Sequence, residues 1–256
     1  MISILRRKYS RFNEEKYIAE YFEKLRPDNS FVVDLGAGDG VTMSNTYRHF
    51  SRQHPGIAVE SDVKKFDRLL ANYKDFGNVS LIQKKVTPKN IYSLLRDYGV
   101  PNDFFLLSLD IDGYDYYVLE SILNKFKPVI IVSEINESIP PPLKFKVKYS
   151  VDFEWTGGHF FGYSLGCLDE LCEKFGYSAI RLEYNNVFLI SNDFWSEKAP
   201  TLTQLYDQGY KKRLLRPYKF AYNRKMTSLW KMEPDEAIQF LTRKFENRQD
   251  QFELHR

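Results

Sequence analysis

Residues 31–40 read FVVDLGAGDG, and this stretch decides the fold. Its apolar first half is typical of a buried strand, and its closely spaced glycines let the backbone turn tightly and approach a ligand. Continuous apolar strands that alternate with amphipathic helices predict a doubly wound, mostly parallel α/β sheet. Further apolar runs of this kind occur at residues 57–60, 79–83, 104–110 and 128–134.

The segment order predicts a single large α/β domain with additions at both ends, as the length of 256 residues allows. Two apolar runs, 179–184 and 187–191, flank Asn185-Asn186, a pair that tolerates the positive φ of a tight turn. They predict an antiparallel C-terminal hairpin that completes a seven-stranded Rossmann-like sheet. The predicted parts are an N-terminal helix in 1–27, the α/β domain at 28–196 and a basic, aromatic helical extension at 197–256.

Composition narrows the class of protein. Hydrophobic residues make up 43% and charged residues 28%, which is globular and excludes wholesale disorder. No apolar run approaches the roughly 18 residues of a membrane span, and the N-terminal charges follow a very short apolar stretch, unlike a signal peptide. The only cysteines, Cys167 and Cys172, indicate neither a disulfide framework nor a zinc site, so we expect a cytoplasmic protein.

Acidic residues beside the glycine loop indicate the cofactor. Glu60 ends the second predicted strand, twenty residues beyond Gly40, where a carboxylate can accept both hydroxyls of a ribose. Asp34 precedes Gly36 and Gly38 and would repel a pyrophosphate, whereas it suits an ammonium and a sulfonium. These residues favour S-adenosylmethionine over NAD. The alternative is a glycine turn in a Rossmann-like domain of another function.

Residues 34–40, DLGAGDG, resemble motif I of the class I S-adenosylmethionine-dependent methyltransferases, and Glu60 matches their ribose-binding acidic residue. The resemblance covers roughly residues 28–192. It implies that Gly36 and Gly38 lie against the methionine part of the cofactor, with Asp34 near its amino group. It also implies adenine contacts from residues 84–86, although many relatives carry an Asp there and this chain has Lys84-Lys85-Val86.

A second set of polar residues follows the fourth and fifth predicted strands. Asp110 and Asp112 end the fourth, and Glu134 and Asn136 end the fifth, so all four face the cofactor crevice in a doubly wound sheet. Their oxygen ligands suit Mg²⁺, Mn²⁺ or Ca²⁺, which would lower the pKa of an acceptor hydroxyl. The alternatives are a helix N-cap for Asp112, a cofactor contact without metal for Asp110, and loop capping for Glu134 and Asn136.

These segments, together with residues 160–165 and Gly176-Tyr177, resemble the FkbM-like and macrocin O-methyltransferase-like proteins. That likeness implies O-methylation of a sugar or other small hydroxylated acceptor, such as a nucleotide-linked sugar or glycan. It further implies that Asp110, Glu134 and Asn136 are metal ligands or position the substrate. The rival functions are an RNA or protein methyltransferase and a non-catalytic binding module on the same fold.

His159, in the glycine-rich loop at residues 156–162, is the predicted general base beside Asp110, because imidazole accepts a proton near neutral pH. The alternative is a loop histidine bonded to backbone. Residues 140–155 predict either a lid or substrate loop, or an edge strand protected by alternating lysines.

The extension is basic and aromatic. Between residues 201 and 231 there are eight Lys or Arg and one acid, Asp207. Interleaved aromatic rings predict binding of nucleic acid or of a nucleotide-linked sugar. The alternative is a solvated helix that packs its aromatic side chains on the core or on a second subunit of a homo-oligomer.

Overall fold

The computed structural model describes residues 8–256, and the start of the predicted N-terminal part, residues 1–7, lies outside them. The apolar runs form the predicted parallel strands, and helices cover both faces of the sheet. Four of the five strands are therefore almost entirely buried, and the exception is the edge strand at residues 79–83. These strands are β1 (Val32–Leu35), β2 (Gly56–Glu60), β3 (Val79–Gln83), β4 (Leu106–Leu109) and β5 (Ile130–Glu134).

Four more strands follow in the described chain: β6 (Lys144–Val147), β7 (Tyr177–Glu183), β8 (Asn186–Ser191) and β9 (Phe252–His255). Within residues 8–256 the main sheet has seven strands in the order β3-β2-β1-β4-β5-β8-β7. β8 is antiparallel to both β5 and β7, which confirms the predicted Rossmann-like sheet with its antiparallel hairpin. The positive φ of the hairpin turn lies at Tyr184 (φ 59°), one residue before the Asn185-Asn186 pair.

Helices connect the strands and flank the sheet. The helix Leu168–Phe175 is followed by Gly176, whose φ of 71° is the left-handed conformation that a helix C-terminus favours for glycine. The α-helices are α1 (Glu14–Leu25), α2 (Tyr47–Phe50), α3 (Val63–Asn72), α4 (Ile91–Asp97), α5 (Asp115–Leu123), α6 (Leu168–Phe175), α7 (Leu202–Tyr206), α8 (Arg216–Lys219) and α9 (Pro234–Lys244). Among the described residues no helix has the length and apolar character needed to cross a membrane.

A second, two-stranded sheet joins residues that are far apart in the sequence. β6 pairs antiparallel with β9, with Lys144 opposite His255 and Val147 opposite Phe252. The edge-strand alternative for the alternating lysines is therefore confirmed for part of residues 140–155. Apolar side chains under this sheet, including Phe145, pack against α9. The extension at 197–256 is thus helical for most of its length but ends in a strand.

Candidate active site

A cavity of about 910 Å³ opens at the carboxyl edge of the main sheet. The turns after β1, β2 and β4 line it, as the doubly wound topology requires. Among the described residues, acidic side chains outnumber basic ones in its lining. The acids are Asp34, Asp39, Glu60, Asp62, Asp110, Asp112 and Glu154, and the bases are Lys65, Arg68, Lys84 and Lys85.

The glycine loop forms one wall of this cavity, and two of its glycines have different reasons to be there. Gly36 has φ +86°, and a Cβ at this position would lie 1.7 Å from the backbone oxygen of Asp110. Only glycine therefore lets the loop pass this close to the end of β4. Gly38 has φ +60°, but nothing lies within 4 Å of a Cβ built on it. Gly38 thus leaves open cavity beside its backbone.

Asp34 lies at the base of the cavity and is almost completely buried. Its Oδ2 accepts a hydrogen bond from the Thr46 hydroxyl at 2.6 Å, and Ser108 is a second hydrogen-bond partner. Burial raises the pKa of Asp34 to about 6, although both hydroxyls favour the ionised form. A cationic ligand would therefore supply the positive partner charge that this buried carboxylate lacks.

Glu60 also lines the cavity, and its carboxylate is hydrogen-bonded to the glycine loop. Oε2 accepts from the backbone N–H of Gly38 at 2.8 Å, and Oε1 accepts from Ser61 and Asp62 at 2.7 and 2.8 Å. A carboxylate has about four acceptor positions, so one stays free for a hydroxyl. Contact with both ribose hydroxyls, as the sequence predicts, requires release of the Gly38 N–H.

Three carboxylates meet beside the cavity. Asp110, Asp112 and Glu134 each offer an oxygen, and these oxygens lie within 4.8 Å of one another. Loss of hydration and the neighbouring carboxylate of Asp112 raise the pKa of Asp110, even though Asp110 faces the cavity. Burial and the Asp110 charge raise the pKa of Glu134 in the same way. Like charges this close favour either a retained proton or a bound cation.

Asn136 is held by hydrogen bonds to the loop that carries His159. Its Nδ2 donates to the backbone oxygens of His159 and Phe161 at 2.8 and 3.1 Å, and its Oδ1 accepts from the Ser138 hydroxyl at 2.6 Å. The side chain is completely buried. This geometry agrees with the loop-capping alternative and leaves no free oxygen aimed at a metal. The amide instead fixes the loop that carries His159.

Asp112 does not cap the following helix, so the N-cap alternative is wrong. Tyr114 occupies the N-cap position of α5, and Asp112 has a positive φ of 55°. The backbone N–H groups of Ile111 and Gly113 instead donate to the buried carboxylate of Asp115, at 2.9 and 2.8 Å. Asp115 thus shapes the turn that presents Asp110 and Asp112. Asp115 was not among the predicted site residues, although an acid in a helix's first turn is a known signal.

His159 is not among the residues that line the cavity. Its ring stacks near Tyr222, with centroids 6.2 Å apart, and burial lowers its pKa. Its Nδ1 is buried without a hydrogen-bond partner in the described part of the chain. The backbone oxygen of His159 accepts from Asn136. The role of His159 as general base beside Asp110 therefore stays a prediction.

The sequence pointed to only some of the basic residues that line the cavity. Lys84, Lys85 and Val86, the segment proposed for adenine contacts, do line the cavity. Lys85 Nζ donates to the backbone oxygen of Val151 at 2.7 Å and so ties residues 150–155 to this wall. Lys65 and Arg68 of α3 line it too. They were missed because a basic residue on an amphipathic helix usually marks only a solvated face.

No protein-family model matches the sequence, and a comparison with curated proteins gives no match either. Solved structures do resemble the chain. An S-adenosylmethionine-dependent methyltransferase from Clostridium acetobutylicum ATCC 824 is 11% identical with a TM-score of 0.44, over 73% of this chain and 93% of that chain. Monomeric WbdD is 16% identical with a TM-score of 0.46, over 73% and 42%. TrmK of M. capricolum, solved with S-adenosyl-homocysteine, is 13% identical with a TM-score of 0.44, over 92% and 93%. Because these identities and TM-scores are low, only the residues of the crevice itself indicate what it binds.

Proposed function

We propose that the chain is an S-adenosylmethionine-dependent methyltransferase that acts on the hydroxyl group of a small acceptor. The observation that carries the proposal is the pairing of Asp34 and Glu60 across the Gly36–Gly38 loop, in one cavity of about 910 Å³. This wall is rich in carboxylates and suits a cationic nucleoside ligand better than a diphosphate. A volume of this size also lies within the usual range of cofactor sites.

The cavity residues divide the binding work between them. Asp34, whose burial disfavours an uncompensated charge, receives the ligand's ammonium group. Gly38 leaves room for the methionine part of the ligand, because no atom lies within 4 Å of the Cβ that glycine lacks. Glu60 accepts a hydrogen bond from one ribose hydroxyl while it keeps the hydrogen bonds from the backbone N–H groups of Ser61 and Asp62. It accepts a hydrogen bond from the second hydroxyl in exchange for the one from the Gly38 N–H.

The acid cluster prepares the acceptor. Asp110 and Asp112 line the cavity next to the glycine loop, so a hydroxyl near Asp110 also lies near the methyl donor. A raised pKa makes the ionised form of Asp110 a stronger base, so this carboxylate can accept the hydroxyl proton once it has lost its own. The three oxygens of Asp110, Asp112 and Glu134 also fit a divalent cation, in place of the predicted set that included Asn136. When bound, the cofactor supplies an electrophilic methyl group and the metal lowers the pKa of the acceptor hydroxyl.

The acceptor class follows from the sequence resemblance to the FkbM-like and macrocin O-methyltransferase-like proteins, which implies a sugar or glycan precursor. The cluster chemistry agrees with that class. A sugar hydroxyl is a weak nucleophile, so removal of its proton is the step that the enzyme must assist. Alignment of the oxygen with the methyl group is the other contribution of the site.

Isothermal titration calorimetry of the full chain tests cofactor binding. We expect S-adenosylmethionine and its demethylated product to bind, and Glu60→Gln to weaken both about tenfold, because a charge-assisted hydrogen bond is lost. Glu20→Gln, on the exposed face of α1, is the matched control and should bind like the unaltered chain. Binding of NAD with no binding of either sulfur compound would refute the assignment.

A separate titration with Mn²⁺, followed by electron paramagnetic resonance, tests the metal. Asp110→Asn and Glu134→Gln should each weaken Mn²⁺ binding at least tenfold, whereas the exposed control Asp75→Asn should not. If the chain binds no Mn²⁺ and keeps full turnover in chelator, the cluster acts as a proton acceptor without metal.

A further inference from the structure

Large apolar side chains are exposed in one short segment of the extension, residues 212–225, which we call the basic rim. Leu214 is 87% exposed and Tyr218 83%, and Leu215 and Tyr222 are exposed as well. Single exposed apolar residues are ordinary on protein surfaces. Four of them within nine positions are unusual, and such a concentration of exposed apolar side chains can mark an interaction surface.

The basic rim also carries uncompensated positive charge. Lys219, Arg224 and Lys225 are exposed and form no ion pair within the described chain. The sequence contains no Asp or Glu between Asp207 and Glu233 that could neutralise them. Whatever covers the exposed leucines must therefore also tolerate, or supply charge for, several cations.

Contacts with the α/β domain hold the basic rim at the carboxyl edge of the main sheet. Arg213 pairs with Glu183, at the end of β7, at 3.0 Å. Tyr222 donates its hydroxyl to Oε1 of Glu137, just beyond β5, at 3.2 Å. The basic rim thus sits at the carboxyl edge of β5 and the neighbouring hairpin, the same edge of the sheet at which the cavity opens.

We propose that the basic rim docks on an anionic membrane surface, with Leu214, Leu215 and Tyr218 in the headgroup region and the cations against lipid phosphates. Aliphatic side chains flanked by Lys and Arg are the combination that binds such surfaces. Tyr218 suits the boundary between lipid and water, because its ring is apolar and its hydroxyl polar. Docking this way turns the carboxyl edge of the sheet toward the lipid headgroups.

Two other occupants fit the basic rim less well. Single-stranded nucleic acid uses aromatic stacking and cations, but it offers nothing to the aliphatic Leu214 and Leu215. A second copy bound across a two-fold axis would place the basic rim of one chain against the same cations of the other, which costs energy. An anionic lipid surface satisfies the aliphatic and the basic side chains together.

Co-sedimentation of the full chain with vesicles tests the proposal, and it does not depend on the proposed methyltransferase function. We expect binding to phosphatidylcholine–phosphatidylglycerol vesicles, and weak or no binding to pure phosphatidylcholine. The double variant Lys219→Gln/Lys225→Gln should weaken binding roughly 25-fold, at about fivefold per cation. Leu214→Ser should weaken it about tenfold, because an inserted aliphatic side chain is lost.

Matched controls lie on α3 and in the turn that follows it, where Leu70 and Lys74 are also exposed. Leu70→Ser and Lys74→Gln should leave vesicle binding unchanged. Because the altered side chains are exposed, thermal unfolding should confirm that every variant stays folded. Three results would each overturn the proposal: no binding to anionic vesicles, equal binding by Leu214→Ser, or a stable dimer that the same substitutions dissociate. Tight RNA binding unaffected by Leu214→Ser would do so as well.

Discussion

Substitution of Gly36 by alanine is the sharpest test of the packing that builds the cavity. The new Cβ would lie 1.7 Å from the backbone oxygen of Asp110, less than half an ordinary contact distance. The atoms that the new Cβ of residue 36 would meet first are the backbone oxygen and carbon of Asp110, so rotation of a side chain cannot relieve the overlap. The Asp110 N–H donates to the backbone oxygen of Leu35 at 3.0 Å, and β1 pairs with β4 along its length.

The expected loss of stability follows from these contacts. An alanine at positive φ costs about 1–2 kcal/mol. Moving β1 away from β4 weakens at least two ladder hydrogen bonds, at about 1 kcal/mol each. Gly36→Ala should therefore lower the free energy of unfolding by about 3–4 kcal/mol. Gly38→Ala is the matched control: its φ is also positive, but its Cβ meets no atom within 4 Å, so about 1–2 kcal/mol is expected.

Urea unfolding of the full chain, followed by circular dichroism, measures both values. The difference between the two variants should be about 2 kcal/mol, which is a large fraction of the stability of an ordinary domain. Equal losses for Gly36→Ala and Gly38→Ala would refute the reasoning, because they would mean that the close approach to Asp110 costs nothing to relieve.

Three further outcomes can be checked with the same preparation. Asp34 has a raised pKa of about 6, so the folded state retains its proton longer than the unfolded state; stability from this group is present below about pH 4 and is lost as pH rises through about 6. As pH rises from about 4 to above about 6, the free energy of unfolding of Asp34→Asn should therefore increase by on the order of 3 kcal/mol relative to that of the unaltered chain. A difference in urea midpoints that does not change with pH would contradict this. Asn136→Ala should cost about 2–4 kcal/mol, because it leaves buried carbonyls unpaired, whereas the exposed Asn124→Ala should cost under about 1 kcal/mol in the same urea assay. His159→Ala should leave both turnover and cofactor affinity nearly unchanged, since its ring is not among the cavity residues; a loss of a hundredfold or more in turnover would restore it as the base.

The sequence by itself determined the central sheet and the place of the site. Its apolar runs are local signals, and the carboxyl ends of parallel strands meet at one edge whatever the loops do, so Asp34, Glu60, Asp110 and Glu134 could be placed beside one crevice. The glycine spacing after β1 likewise needs no distant partner to be recognised, because a positive φ is a property of one residue.

Only the tertiary structure decided where the longer-range partners lie. β6 and β9 form one sheet from residues more than a hundred positions apart, and no local pattern specifies such a pairing. Asn136 and His159 were placed in the site from their positions in the chain, but a buried amide bonds to whichever acceptors the fold brings nearest. Those acceptors are backbone carbonyls of the His159 loop, so hydrogen-bond satisfaction in the folded core, rather than sequence position, decides what the Asn136 amide binds.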